Sequence, residues 1–279
     1  MNKSEHGCLY NEPYFTFWSD EKLNIVGINS SVFDSSDNSV HHGSVRNTDL
    51  AALDKFLTAN IPKDKNKLSV LLIHHHAFQH SDLPFNDADL SILQNAGQLI
   101  DIITKHSFDF LIHGHKHIPK LDKFVNGFEY PLNILCAGSF SATLDVRYFQ
   151  GTPNTFHLVE IEDRCPTHLI PKGNVYTFSH LTGFGWENEQ DLPYGALYKD
   201  VFGSRISRYH LETLLEQLIT KLFANKDHIK FTELSAINSE LGYVQKKLYE
   251  VVLPELKEKL SFDIVWPDSV EQLFVLLKH

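Results

Sequence analysis

The chain has 279 residues, 42% apolar and 22% charged, with 14 Gly and 11 Pro, proportions that exclude collagen-like, coiled-coil and wholly disordered readings. Twenty-five basic against thirty-five acidic residues give a net charge of −10, which argues against a broad electrostatic footprint for nucleic acid or anionic lipid. No apolar stretch approaches the ~18–20 residues that span a bilayer, nothing after Met1 reads as a signal peptide, and Cys8, Cys136 and Cys165 are too scattered for a disulfide framework or a Cys-based zinc site. A cytoplasmic setting with no membrane partner is expected.

The first 163 residues alternate strand and helix signals. Residues 23–29 (LNIVGIN) predict a buried strand that ends in an Asn-Ser-Ser loop. Residues 33–46, rich in Ser, Asp, Asn and His, read as loop. Residues 48–59 set Leu50, Leu53, Phe56 and Leu57 on a helical stripe, with Asn47 or Thr48 placed to cap it. LSVLLI at 68–73 is a fully apolar strand of the buried kind. Residues 87–106 carry Leu90, Leu93, Leu99, Ile102 and Ile103 at helical spacing. A strand at 108–112 then runs into His113-Gly-His-Lys-His117. A strand pair around Asn126-Gly127, a strand at 133–137 and a strand at 155–161 follow. This order predicts sheets covered by helices.

Composition shifts after Asp163. Residues 164–203, with Pro166, Pro171, Pro193 and several glycines, read as an irregular connection with short strands. From 204 to 279 the pattern is helical. Leu211, Leu214, Leu215, Leu218 and Leu222 form one stripe, and 244–260 form another that Pro254 should kink or end. Residues 269–278 read as a short terminal helix. The turn at Leu241-Gly242 admits a helix-turn-helix, but 10 basic against 11 acidic residues from Arg205 onward favour packing or oligomerisation. Trp186 and Trp266 read as satellite core.

Seventeen histidines are the compositional oddity, and eight lie between His74 and His117. They fall into two groups, each just past the end of an apolar strand: His74-His-His76 and His113-Gly-His-Lys-His117. Ligand sites of open α/β sheets form at such strand ends, and imidazole is a common ligand for borderline divalent metals. Gly114 is expected to let the backbone turn sharply and aim the following rings at one point.

The ordered pieces LLIHHHAF and LIHGHKHIP resemble the last two metal-binding motifs of the calcineurin-like metallophosphoesterases. IVGINSS resembles that family's strand ending in Asn-Ser or Asp-Ser, and ILCAGS resembles its strand ending in Gly-Ser. The resemblance runs from about Leu23 to Asp163. It implies an α/β fold (an α+β sandwich), namely the C-terminal part of a four-layer αββα domain over residues 1–163, with a small helical region at 204–279. It also implies His74, His115 and His117 as metal ligands, the first two on one ion and His117 on another. His75, His76 and His113 are then neighbours behind the ligands. The divalent ions implied are Mn, Zn, Fe or Ni.

The family's earlier motifs, Asp-x-His, Gly-Asp and Gly-Asn-His-Asp, occur nowhere in this sequence. The resemblance therefore implies a phosphoester hydrolase, phosphatase or phosphodiesterase, whose carboxylate ligands come from an upstream segment or a partner chain. A dinuclear centre needs those ligands, and the catalytic residues stay unassigned. Two alternatives remain open: a degenerate module that binds or regulates without catalysis, and histidines with an unrelated single-metal or structural role. If half of a sandwich is missing, strands 23–29 and 68–73 should leave an uncovered edge or face, to be hidden by a partner or by a homo-oligomer.

Overall fold

The computed structural model describes residues 2–4, 7–11, 15–32, 43–61, 67–78, 92–125, 130–143, 151–164, 169–188, 192, 196–267 and 272–279. Its largest element is an eight-stranded sheet. The strands are β1 (Asn2–Ser4), β2 (Gly7–Asn11), β3 (Phe15–Ser19), β4 (Leu23–Ile28), β5 (Leu68–Ile73), β6 (Phe110–His113), β7 (Lys120–Val125) and β8 (Pro131–Cys136). They lie in the order β1-β2-β3-β4-β5-β6-β8-β7. β4, β5, β6 and β8 run parallel, and every other pairing is antiparallel.

Two crossovers step the same way along this parallel block, through α1 (Asn47–Asn60) and α2 (Ala96–Lys105). Right-handed crossovers made in one direction put both helices on one face of the sheet. Alternate strand residues meet them there: Val26, Ile28, Leu71 and Leu111 share a core with Leu53 and Leu99. The opposite face is different. Thr16, Gly27, Leu72 and Ile112 form one cross-strand row, in which Thr16 is exposed and Leu72 is 39% exposed. The edge of β4 is covered by β3, so the surface left open is this face and not an edge.

Several boundaries depart from expectation for identifiable reasons. α1 has Arg46 at its N-cap with no side-chain cap, because a guanidinium has no acceptor to offer, and Asn47 Oδ1 accepts from Asn95 Nδ2 (3.4 Å). Asn95 also bridges to the Val45 backbone. α2 begins at Ala96, not at 87, and buried Leu93 precedes it with its N–H donating to His76 O (3.0 Å). The expected helical residues 87–91, most of the 33–46 loop and the Asn126-Gly127 turn lie outside the described residues.

The strands that follow are β9 (Thr155–Arg164), β10 (Pro171–Leu181), β11 (Gly185–Glu187) and β12 (Lys199–Phe202). The expectation of an irregular connection with short strands at 164–203 is corrected in one respect by β10, an eleven-residue strand. Its Pro171 and Gly173 obscured the period-2 burial of Pro171, Gly173, Val175, Thr177 and Ser179. Gly173 is needed there, since a Cβ would fall 1.9 Å from Glu160 O.

The chain divides into two compact units: Met1–Leu158, Arg164–Pro171 and Tyr176–Tyr198 form the first, and Val159–Asp163, Lys172–Val175 and Lys199–His279 the second. The second contains α3 (Arg208–Phe223), β13 (His228–Lys230), α4 (Phe231–Ile237), a 3-10 turn (Ser239–Tyr243), α5 (Lys246–Leu260), β14 (Phe262–Val265) and β15 (Val275–Lys278). Leu211, Leu215, Leu253, Tyr249 and Phe274 are among the side chains of its core. Pro254 does not end α5. It is exposed, and buried Val252, Leu253 and Leu256 on either side hold the helix against the core.

The terminal helix expected at 269–278 is corrected to a strand. β15 pairs with both β13 and β14, and Leu276 is buried where Leu277 is 40% exposed, a period of two. α4, the 3-10 turn and α5 follow one another in the chain. On α5, Lys246, Lys247, Lys257 and Lys259 stand against Glu250, Glu255 and Glu258, so the helix is close to neutral and not a strongly basic face. No helix among the described residues is long and apolar enough to cross a membrane.

Candidate metal centre

Register places the two histidine groups side by side. Ile73 at the end of β5 pairs with His113 at the end of β6, and His113 pairs with Cys136 at the end of β8. The chain therefore leaves two adjacent parallel strands at one level, and Gly114 N donates to His74 O (3.1 Å) to tie the loops together. The turn is made differently from the expectation. Gly114 is absent from the left-handed region, whereas His115 (φ 66°) and His117 (φ 57°) both occupy it. A non-glycine residue there is uncommon and costs energy, and such outliers cluster at functional sites.

That backbone folds the His115 ring back toward β5. Its Nδ1 lies 3.0 Å from His74 Nε2, and its ring centroid is 4.7 Å from that of His75. Among the described residues, His74, His75 and His115 form one group whose candidate ligand atoms all lie within 4.8 Å of one another. Burial, followed by the positive potential of His75, His74 and Lys116, brings the His115 imidazole down to about 4. It is neutral at pH 7 and keeps a lone pair for a cation.

His75 is the best-fixed ring of the three. It is 1% exposed, its Nδ1 is 2.8 Å from Ser30 Oγ, and its backbone N–H donates to the same oxygen (3.3 Å). In the tautomer protonated at Nδ1, the ring donates to Ser30 and its Nε2 lone pair is left for a metal; such partners orient ligating histidines. A Cβ on Gly43 would stand 2.3 Å from His75 Cγ, so only glycine fits against the ring. Sequence reasoning gave Ser30 and Gly43 no role. The Asn-Ser-Ser end of β4 was the signal for the first, and nothing in the sequence marked the second.

The remaining histidines differ in place. His117 is not in the three-residue group; burial first, then His74, holds its imidazole below the usual range. His76 and His113 are buried, with ring centroids 6.0 Å apart, and His76 stacks 6.5 Å from His115. Cys136 is buried, and burial pushes its thiol up to about 12, which leaves it inert as a nucleophile at neutral pH. A groove of about 630 Å³ opens beside the cluster, with Thr16, Gly27, Leu72 and Ile112 as its floor and His74 and Ala137 at its rim.

No family model matches this chain, and no curated protein does. Several solved structures resemble parts of it, two of them as follows. One is a conserved uncharacterised protein from Streptococcus pneumoniae TIGR4, described as a predicted phosphoesterase: 13% identity, 58% of this chain and 91% of that one covered, TM-score 0.22. The other is Vps29 from Entamoeba histolytica, crystallised with zinc: 16% identity, 57% and 93% covered, TM-score 0.20.

Proposed function

We propose that this chain is a metal-dependent phosphoester hydrolase domain whose imidazole centre is built on His74, His75 and His115. The observation that carries the reading is the convergence of those rings from two parallel strand ends, beside an open groove. Three imidazole nitrogens and an open side suit one divalent ion of the Zn, Mn, Fe or Ni type. Such an ion supplies a Lewis acid to a phosphoryl oxygen and acidifies water. The chain's own residues do the rest. Ser30 and Gly43 fix the His75 ring, the strained His115 backbone aims the second ring, and exposed His74 meets the solvent side. Lys116 adds a cation that draws an anionic ester to the loop.

The three-residue group holds no carboxylate. A dinuclear centre would take His117 for its second ion and carboxylates from an upstream segment or partner chain, which would also complete the four-layer αββα sandwich over the exposed Leu72 face. The imidazole-only group equally favours a second reading, a degenerate module that binds phosphoesters without cleaving them.

Calorimetry with inorganic phosphate on the metal-loaded full chain tests the site. Phosphate is expected to bind the parent and not His115→Ala, and no binding to the loaded parent would refute the reading. The chain alone is expected to hydrolyse an aryl phosphodiester no faster than metal in buffer, and turnover on co-expression with a segment carrying the missing carboxylate motifs would decide for the hydrolase over the module.

A further inference from the structure

Past β8 the chain turns through Ala137, Gly138 and Ser139 to Phe140. Ala137 N donates to His113 O (2.9 Å), so this loop starts at the rim of the histidine groove. Gly138 is left-handed (φ 66°), and a Cβ there would meet Thr155 Oγ1 at 2.4 Å. Thr155 N donates to Ser139 O (2.6 Å), and His157 Nε2 donates to Ala137 O (2.9 Å), which pins the loop to β9. The pinned loop presents Phe140 at 64% exposure.

Phe140 is the outer member of a ring stack. It lies 5.1 Å from Trp186 at an interplanar angle of 16°. Trp186 meets Phe156 edge-on at 5.0 Å, and Phe156 stacks on Phe178 at 4.6 Å with an angle of 1°. Trp186, expected as satellite core, is instead 37% exposed on β11. Aromatic rings in a core cover each other's faces. Here the inner rings are braced by their neighbours and the outermost is left open to a planar ligand.

Three residues span at most ~11 Å, so Phe140 stands within that reach of Ala137 and the groove. A ligand that uses both features carries a flat ring and an anionic oxygen. A nucleotide carries both, and the net charge of −10 disfavours a long polyanion over a free nucleotide. We propose that the Phe140–Trp186 stack binds the base of a nucleotide and directs its phosphate to the histidine centre. This rests on the phosphoester reading of that centre.

The test is calorimetry of the zinc-loaded full chain with adenosine 5′-monophosphate, adenosine and ribose 5-phosphate. Phe140→Ala should weaken adenosine and its monophosphate alike by about 5- to 150-fold, the worth of one stacked base, and leave ribose 5-phosphate unchanged. Phe140→Trp should restore binding. His115→Ala should weaken the two phosphates and spare adenosine. If His115→Ala changes nothing while Phe140→Ala still costs adenosine binding, the platform stands and the phosphate reading of the centre fails. The nucleotide proposal is overturned if Phe140→Ala binds the monophosphate as the parent does. It is also overturned if Phe140→Ala abolishes self-association and leaves nucleotide binding untouched, which would make the stack a contact between copies.

Discussion

His115 Nδ1 and His74 Nε2 face each other at 3.0 Å across two loops that leave neighbouring parallel strands. Two ring nitrogens that close share one proton or one cation. Two imidazoles on a tetrahedral zinc stand roughly 3.3–3.4 Å apart, from bonds of 2.0–2.1 Å, so a small relaxation converts one arrangement to the other.

The third ligand is the point on which family resemblance and geometry part. His75→Ala and His115→Ala are expected to abolish retention of one zinc per chain, whereas His117→Ala retains it. Ser30→Ala, which removes the partner of His75 Nδ1, should weaken zinc by about 10- to 100-fold. Metal content of dialysed variants by mass spectrometry checks this, and the reverse order for His75 and His117 would favour the resemblance.

Gly43→Ala should damage the centre without touching a ligand, because its Cβ would strike His75 Cγ. Zinc affinity is expected to fall toward that of Ser30→Ala. Gly97→Ala, at a position in α2 with open space around it, serves as the control and should leave affinity unchanged.

His157 gives a pH dependence away from the cluster. Burial lowers its imidazole below the ordinary value of 6.5, and its bond to Ala137 O only partly offsets that. The unfolded chain therefore binds this proton more readily than the folded one. The resulting stability is fully present above pH 6.5 and is lost as pH falls below it toward the folded value. His157→Gln should flatten the fall in Tm between pH 7 and pH 5; an unchanged slope would place the titration elsewhere.

At the opposite end of the parallel strands, 1%-exposed Asp109 accepts from both Arg164 nitrogens (3.1 and 3.0 Å), Tyr130 OH (2.6 Å) and Ser69 N (2.8 Å). Asp109→Ala strands the half-buried guanidinium and should cost about 3–5 kcal/mol in urea unfolding. A loss near 1 kcal/mol would show that water reaches Arg164 in the folded chain.

The parallel block was legible because its strands are mostly apolar runs, broken only by single residues such as Asn24, Ser69 and Asn133: LSVLLI is β5 to the residue, and the histidines at two strand ends mark the site. The third ligand was not. His74, His75 and His76 are identical as letters, and only the Ser30 bond and the Gly43 contact tell the middle one apart. β15 was misread because Val275–Leu277 is apolar at every position, a run that fits helix or strand until Leu276 finds partners on both sides. β10 was hidden by Pro171, which is the strand's first residue, and by Gly173, where a Cβ would strike Glu160 O.

X-ray absorption at the zinc edge of the metal-loaded full chain tests the central claim most directly. The account predicts one zinc per chain with three imidazole nitrogens at about 2.0–2.1 Å in the parent. At saturating zinc, without dialysis, it predicts two in His75→Ala, with the lost scatterer replaced by water oxygen. A spectrum without multiple imidazole scattering, or one unchanged by His75→Ala, would contradict it.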